Sequence, residues 1–149
     1  MKSCSFFGGE DLKINKKVRE TLFTECERLV VLGYATFYFG GLGNFDRACY
    51  RAVSRIRDSK QNINRVYCRF FQGDTKDRAG YEESVCFPTE PNAWYTRIFH
   101  RNYQTLLHTD LAVFCFKDYG GNDGAETLFR IALELNKPCI NLYERLIDK

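Results

Sequence analysis

No charge of either sign dominates this chain, histidine is nearly absent, and no apolar run approaches the length of a membrane span. Twenty-two basic residues face nineteen acidic ones. That balance gives no general electrostatic footprint for a nucleic acid, and no basic stripe is evident. The densest basic run, Lys13 to Arg19, suits the solvated face of a helix. The two histidines, His100 and His108, form no cluster of metal-ligand spacing, so no metal site is expected. Without roughly 20 consecutive apolar residues a membrane-spanning helix is not expected. The start, Met1-Lys2-Ser3-Cys4, runs straight into a short strand pattern and then a charged segment, unlike a secretory signal. Seven cysteines are an odd number, none in a CxxC pair, and most lie inside apolar runs. They read as buried thiols of a reducing compartment, and a cytoplasmic protein is expected.

Aromatic residues are abundant. Thirteen phenylalanines and nine tyrosines in 149 residues exclude disorder and supply well-filled strands for one domain spanning 1–149. One arrangement occurs three times: an apolar strand-like run, then glycines, then a helical pattern. The runs are Cys4-Ser5-Phe6-Phe7 into Gly8-Gly9, Thr36-Phe37-Tyr38-Phe39 into Gly40-Gly41-Leu42-Gly43-Asn44, and Leu111 to Phe116 into Gly120, Gly121 and Gly124. Glycine after a strand allows close approach of backbone to ligand. The following helix offers unpaired N–H groups and the positive end of its dipole, which together hold a phosphate.

Apolar steps of three and four predict a helix over Ile14 to Leu32, ended by Gly33, and a second helix from an Asn44 N-cap to about Ile56. Val66-Tyr67-Cys68 centres a third strand. Gln72 to Asn92 has little periodicity and reads as a loop, either a surface insertion or a lid packed through Tyr81, Phe87 and Trp94. Then come a helix over Trp94 to His108, the strand Leu111–Phe116, a helix over Ala125 to Asn136 and a strand Cys139–Leu142. Strands alternating with helices imply βαβ crossovers. The expected fold is α/β, a Rossmann-like three-layer sandwich with a mainly parallel sheet.

In such sheets ligands bind outside the carboxyl ends of the strands. The glycine turns, with Gly8, Gly9, Gly40, Gly41, Gly43 and Asn44, are expected to converge there. Asp46 either accepts a ribose hydroxyl or serves as an ordinary first-turn acid. Gly124, Ala125, Glu126 and Thr127 open another helix, and Thr127 either donates to a phosphate or faces solvent. Arg97, Arg101, Gln104 and His108 recur at steps of four, three and four. This stripe is either a phosphate-binding pair of arginines or a solvated face. Asn102 beside it suits a base, a ribose or the neighbouring backbone. No Walker A sequence is present, and Gly41-Leu42-Gly43 lacks the full GxGxxG spacing, so no nicotinamide cofactor, nor any other, is expected.

The opening Cys-Ser-Phe-Phe-Gly, the run Phe39 to Asp46, Tyr81-Glu82-Glu83 ending at Pro88, Arg101-Asn102 followed by Thr109-Asp110, and Gly124-Ala125 leading to Lys137 to Leu142 form an ordered set. Nearly the whole chain thereby resembles the small stand-alone members of the SLOG superfamily. That superfamily includes the cytokinin-activating LOG enzymes, the DNA-processing protein A group and nucleotide-sensing domains of bacterial and phage-defence proteins. The resemblance implies a Rossmann-like fold and a pocket for nucleotide-derived ligands, with Arg101 matching the family arginine. It also implies pairing of chains through helices. Two departures bear on activity. Relatives often read Gly-His-Arg where this chain has Gly8-Gly9-Glu10. Aligning the LOG motif Pro-Gly-Gly-x-Gly-Thr-x-x-Glu on Gly124-Ala125 puts Leu128 at its catalytic glutamate.

The expectation is therefore a binder of a nucleotide-derived small molecule, of ADP-ribose or cyclic ADP-ribose type. It would act as a sensor or a sequestering sponge in phage–host defence or counter-defence, and as a homo-oligomer. The alternative is a phosphoribohydrolase or N-glycosidase using Glu126, Glu10 or Asp46. No catalytic residue is assigned, and nucleic acid and membrane are not expected as partners.

Overall fold

The computed structural model describes residues 2–9, 12–59, 62–69, 80–87, 94–117 and 124–147. Among them the chain forms β1 (Lys2–Gly8), α1 (Lys16–Val31), β2 (Tyr34–Phe39), α2 (Asn44–Arg57), β3 (Asn64–Cys68), β4 (Glu83–Val85), α3 (Trp94–His108), β5 (Leu111–Cys115), α4 (Gly124–Glu134), β6 (Cys139–Asn141) and α5 (Tyr143–Ile147). All strand pairs are parallel, in the order β4-β3-β2-β1-β5-β6. The expected α/β sandwich is what forms.

Both faces of the central strands are buried, which is why their sequences are apolar without alternation. Along β1 and β5 successive side chains still part to opposite sides. Cys4, Phe6, Leu111, Val113 and Cys115 join Leu22, Cys26 and Leu29 of α1 and Ala48, Cys49 and Val53 of α2 in one core. Phe7, Ala112 and Phe114 join Leu106 of α3 and Leu128 and Ala132 of α4 in the other. In-register pairing from Cys4–Leu111 to Gly8–Cys115 seats β5 against β1. At its base, Asp110 Oδ2 accepts from the Ser3 amide at 2.8 Å, and the Ser5 and Thr109 hydroxyls meet at 2.9 Å. The Thr109-Asp110 pair thus locks the end of α3 to the first strand.

Helix boundaries follow local chemistry. Asn15, rather than Ile14, starts α1: its Oδ1 accepts from the Val18 amide at 2.9 Å. Gly33, at φ +102°, ends that helix as expected. At α2 the cap is Gly43, not Asn44. The corner has φ +89° and ψ 164°, a conformation open to glycine, and Asn44 becomes the first helical residue, its side chain accepting from Arg47.

Part of the expected loop Gln72 to Asn92 is strand. β4 pairs with β3, held by Arg65, whose guanidinium reaches Glu82 at 2.7 and 3.0 Å and Ser54 at 2.9 Å. Tyr81 packs among Phe39, Tyr50 and Tyr67, and Phe87 stacks on His108 with ring centroids 4.3 Å apart. The remainder of that segment and the side chain of Trp94 lie outside the described residues. The helix α5 had no counterpart in the sequence reading; it docks on α1, where buried Glu25 receives both Arg28 and Arg145.

Burial pushes the Glu25 carboxyl up, but the hydrogen bonds and charges of Arg28 and Arg145 outweigh this and hold it below its ordinary value. A lowered folded-state value means stability gained above the ordinary glutamate range near ~4.3, and lost as pH falls through the lowered value. Glu25→Gln should therefore cost about 1–3 kcal/mol at pH 7. The gap to wild type should shrink as pH falls below ~4.3, which urea unfolding at several pH values checks. The thiols give a second expectation. Cys4, Cys26, Cys49, Cys68 and Cys115 are buried, and burial pushes Cys68 up to about 11 and Cys115 up to about 12. A native-state thiol titration should read fast reaction only at the half-buried Cys86 and Cys139.

Candidate functional site

Strand order turns over between β1 and β5: the chain runs outward from β1 through β2 and β3 on one side, then crosses to β5 and β6 on the other. Neighbouring strands whose connections leave in opposite directions open a crevice at their carboxyl ends. A cavity of about 380 Å³ occupies that crevice. Its walls come from the end of β1 (Gly8, Gly9), the β2–α2 turn (Gly40, Gly43), α3 (Arg101, Asn102) and the start of α4 (Gly124, Ala125). The expected convergence of glycine turns thus occurs, although Gly120, Gly121 and Glu10 lie outside the described residues.

Close packing explains two of the glycines. A Cβ on Gly8 would overlap Phe45, the second residue of α2, so glycine is what lets the helix start against the end of β1. A Cβ on Gly40 would stand 2.5 Å from Arg101 Nη2.

In two of the turns, amides that the sequence offered to a phosphate have partners within the protein. Gly9 donates its amide to Cys115 O at 2.9 Å, extending the β1–β5 pairing. The Gly40 and Gly41 amides donate to Asp46 Oδ1 and Oδ2, both at 2.8 Å. Asp46 lies in the first turn of α2 with little exposure, and its carboxylate occupies the place of an anion on those two amides. The anion held there is the protein's own. The start of α2, whose Gly43 cap makes no side-chain hydrogen bond, and the start of α4 also line the cavity.

Arg101 is 4% exposed and lies in the cavity wall. Its Nη1 donates to Gly40 O at 2.8 Å, and its Nε and Nη2 reach Asn102 Oδ1 at 3.3 and 3.1 Å. Asn102 therefore orients the arginine as well as lining the cavity. The rest of the expected stripe disperses: Arg97 is exposed and outside the lining, and His108 is exposed against Phe87. A step of four along a helix advances about 400°, so each such step rotates a row by ~40°. Packing under the sheet edge keeps Arg101 inside and leaves Arg97 out.

On α4, Gly124 and Ala125 line the cavity, but Glu126 and Thr127 do not. Glu126 is buried, and its Oε2 lies 2.6 Å from Arg130 Nη2, an ion pair without the alignment of a hydrogen bond. Thr127 is exposed. Gly41 is likewise off the lining, tied to Asp46. Leu128 does line it, as an apolar part of the wall. Sequence reasoning missed this apolar share: Leu128, Phe45, Ile98, Phe99 and the half-buried Tyr38 give the cavity a face for a flat or apolar group. Nothing local in the sequence marks these positions as cavity-facing.

These features define a Rossmann-like α/β protein with a small-molecule-sized cavity at the switch point of its sheet. Comparison with solved structures agrees on the fold. A solved structure, the Moco carrier protein of Chlamydomonas rheinhardtii, superposes with a TM-score of 0.59 at 10% sequence identity, over 95% of this chain and 76% of the other. At that identity the likeness is one of fold. No model of a known protein family matches the chain, and no curated protein matches it significantly in sequence. No helix among the described residues is long and apolar enough to cross a membrane.

Gly8→Ala should be the most disruptive small change at the site, because Phe45 Cβ cannot yield without moving α2. We expect a loss of about 1–3 kcal/mol or failure to fold. Gly43→Ala, with open space around its Cβ, should cost about 1–3 kcal/mol from its backbone conformation alone, short of the packing clash at Gly8. Thermal melting of the two variants side by side checks the order.

Proposed function

We propose that the cavity binds a nucleotide-derived small molecule, of ADP-ribose or cyclic ADP-ribose type, and holds it without turnover. The carrying observation is the composition of the wall: two helix starts and a buried arginine beside an apolar face, with Leu128 where LOG enzymes have their glutamate. A volume of about 380 Å³ falls within the ~300–1,000 Å³ usual for small-molecule sites. Helix starts favour phosphate, and Tyr38, Phe99 and Phe45 suit a base. The SLOG resemblance supports the same ligand class, and a fold neighbour that carries Moco is in keeping with holding a small molecule intact.

On this reading the protein is a cytoplasmic sensor or sponge, one binding domain per chain and self-associating, in phage–host defence or counter-defence. The phosphoribohydrolase reading loses its main candidate, since Glu126 is turned to Arg130 and off the cavity lining. Asp46, which does line the cavity, holds the amides of the β2–α2 turn, and Glu10 lies outside the described residues.

Calorimetry against AMP, ADP-ribose, NAD and cyclic ADP-ribose isomers, with every ligand recovered and weighed by mass spectrometry, tests this directly. The expected outcome is binding of at least one with the ligand returned intact, weakened at least ~10-fold in Arg101→Ala. A cleaved product would replace binding with catalysis, and silence toward all of them would remove the nucleotide reading.

A further inference from the structure

Opposite charges hold the two ends of one residue in the cavity wall. Asp46 takes the Gly40 N–H at 2.8 Å, and Arg101 takes the Gly40 carbonyl at 2.8 Å. Both side chains are at most 9% exposed, and both line the cavity. The Gly41 amide, also at 2.8 Å from Asp46, completes a two-amide seat of the kind that binds an anion. The seat is filled, and the arginine beside it has a carboxylate one residue away rather than an unbalanced positive field.

We propose that Asp46 is the specificity-determining residue of the cavity: a built-in anion that closes the Gly40–Gly41 seat, so that this corner excludes a phosphate and receives a neutral hydroxyl-bearing group such as a sugar. A second anion brought against a carboxylate in a largely buried corner meets like-charge repulsion with little water to screen it. A sugar hydroxyl meets an acceptor instead. The ligand's phosphate is then left to other parts of the cavity wall. The sugar assignment rests on the nucleotide reading above; the closed anion seat does not.

Two arms separate these. In the first, wild type, Asp46→Ala and Asp46→Asn are melted in chloride and in inorganic phosphate or acetate at equal ionic strength. Asp46→Ala should melt about 5–10 °C below wild type in chloride. Phosphate or acetate should restore at least half of that loss by entering the vacated seat, while wild type, with its seat closed, gains clearly less. An Asp46→Ala protein indifferent to every anion, or a wild type stabilised as much as the variant, overturns the proposal. If Asp46→Ala does not fold in chloride, its folding in phosphate or acetate, read by circular dichroism, carries the same comparison. In the second arm wild type is titrated with ADP-ribose and with ADP-ribose 2′-phosphate. Binding of the phosphorylated form should be at least ~10-fold weaker, and Asp46→Asn should narrow the ratio. Equal affinities in wild type overturn the specificity role. Absence of binding by either ligand removes the nucleotide reading and the sugar assignment with it, and the anion-rescue arm then decides the closed seat alone.

Discussion

The site depends on how the Gly40 peptide is held. It is the first residue beyond β2, where the chain must leave the sheet, turn and start a helix over the end of β1. Asp46 grips its N–H from the helix it leads into, and Arg101 grips its carbonyl from α3 on the opposite face of the sheet. One peptide thereby ties both helical layers to the sheet edge at the cavity. Hydrogen bonds with an ionised partner are roughly twice as strong as neutral ones, and burial removes competing water. A side chain at Gly40 would displace the guanidinium, so glycine here serves the clamp rather than a bound phosphate.

That arrangement changes what glycine-rich turns mean in this chain. Such turns bring backbone close to something, and the something can be the protein itself. Gly8 admits Phe45, Gly9 continues the β1–β5 ladder, and Gly40 admits Arg101. Each is a close approach of backbone to a neighbour within the fold. The cavity exists because these approaches draw the helix starts to the sheet edge, and its wall is then finished by side chains that also belong to the two cores, notably Leu128, Phe45 and Phe7.

Much of the fold was legible because its signals are local. The all-apolar β5 run requires two covered faces, the three- and four-residue apolar steps in α1 and α2 require one buried side each, and Gly33 stops α1 by its positive φ. The short pieces were not legible. β4 has three residues and none of its side chains is fully buried, so no periodicity can develop; it exists because Arg65 and Glu82 pin it to β3. α5 spans five residues and depends on Glu25 of α1 for its arginine anchor.

The candidate site divides along the same line. By itself the sequence determined a parallel α/β sheet with glycine turns after the strands, because strand burial, helix period and glycine's backbone freedom act within a few residues. Only the tertiary structure decided which groups face the cavity and which are already spoken for. Arg97 and Arg101 are one turn apart and differ completely in burial; Glu126 turns to Arg130 while Leu128 turns inward. The amides of Gly40 and Gly41 are open to a ligand in sequence and closed by a carboxylate in space. Those outcomes rest on contacts between elements up to 61 residues apart, as from Gly40 to Arg101, and no local pattern carries them.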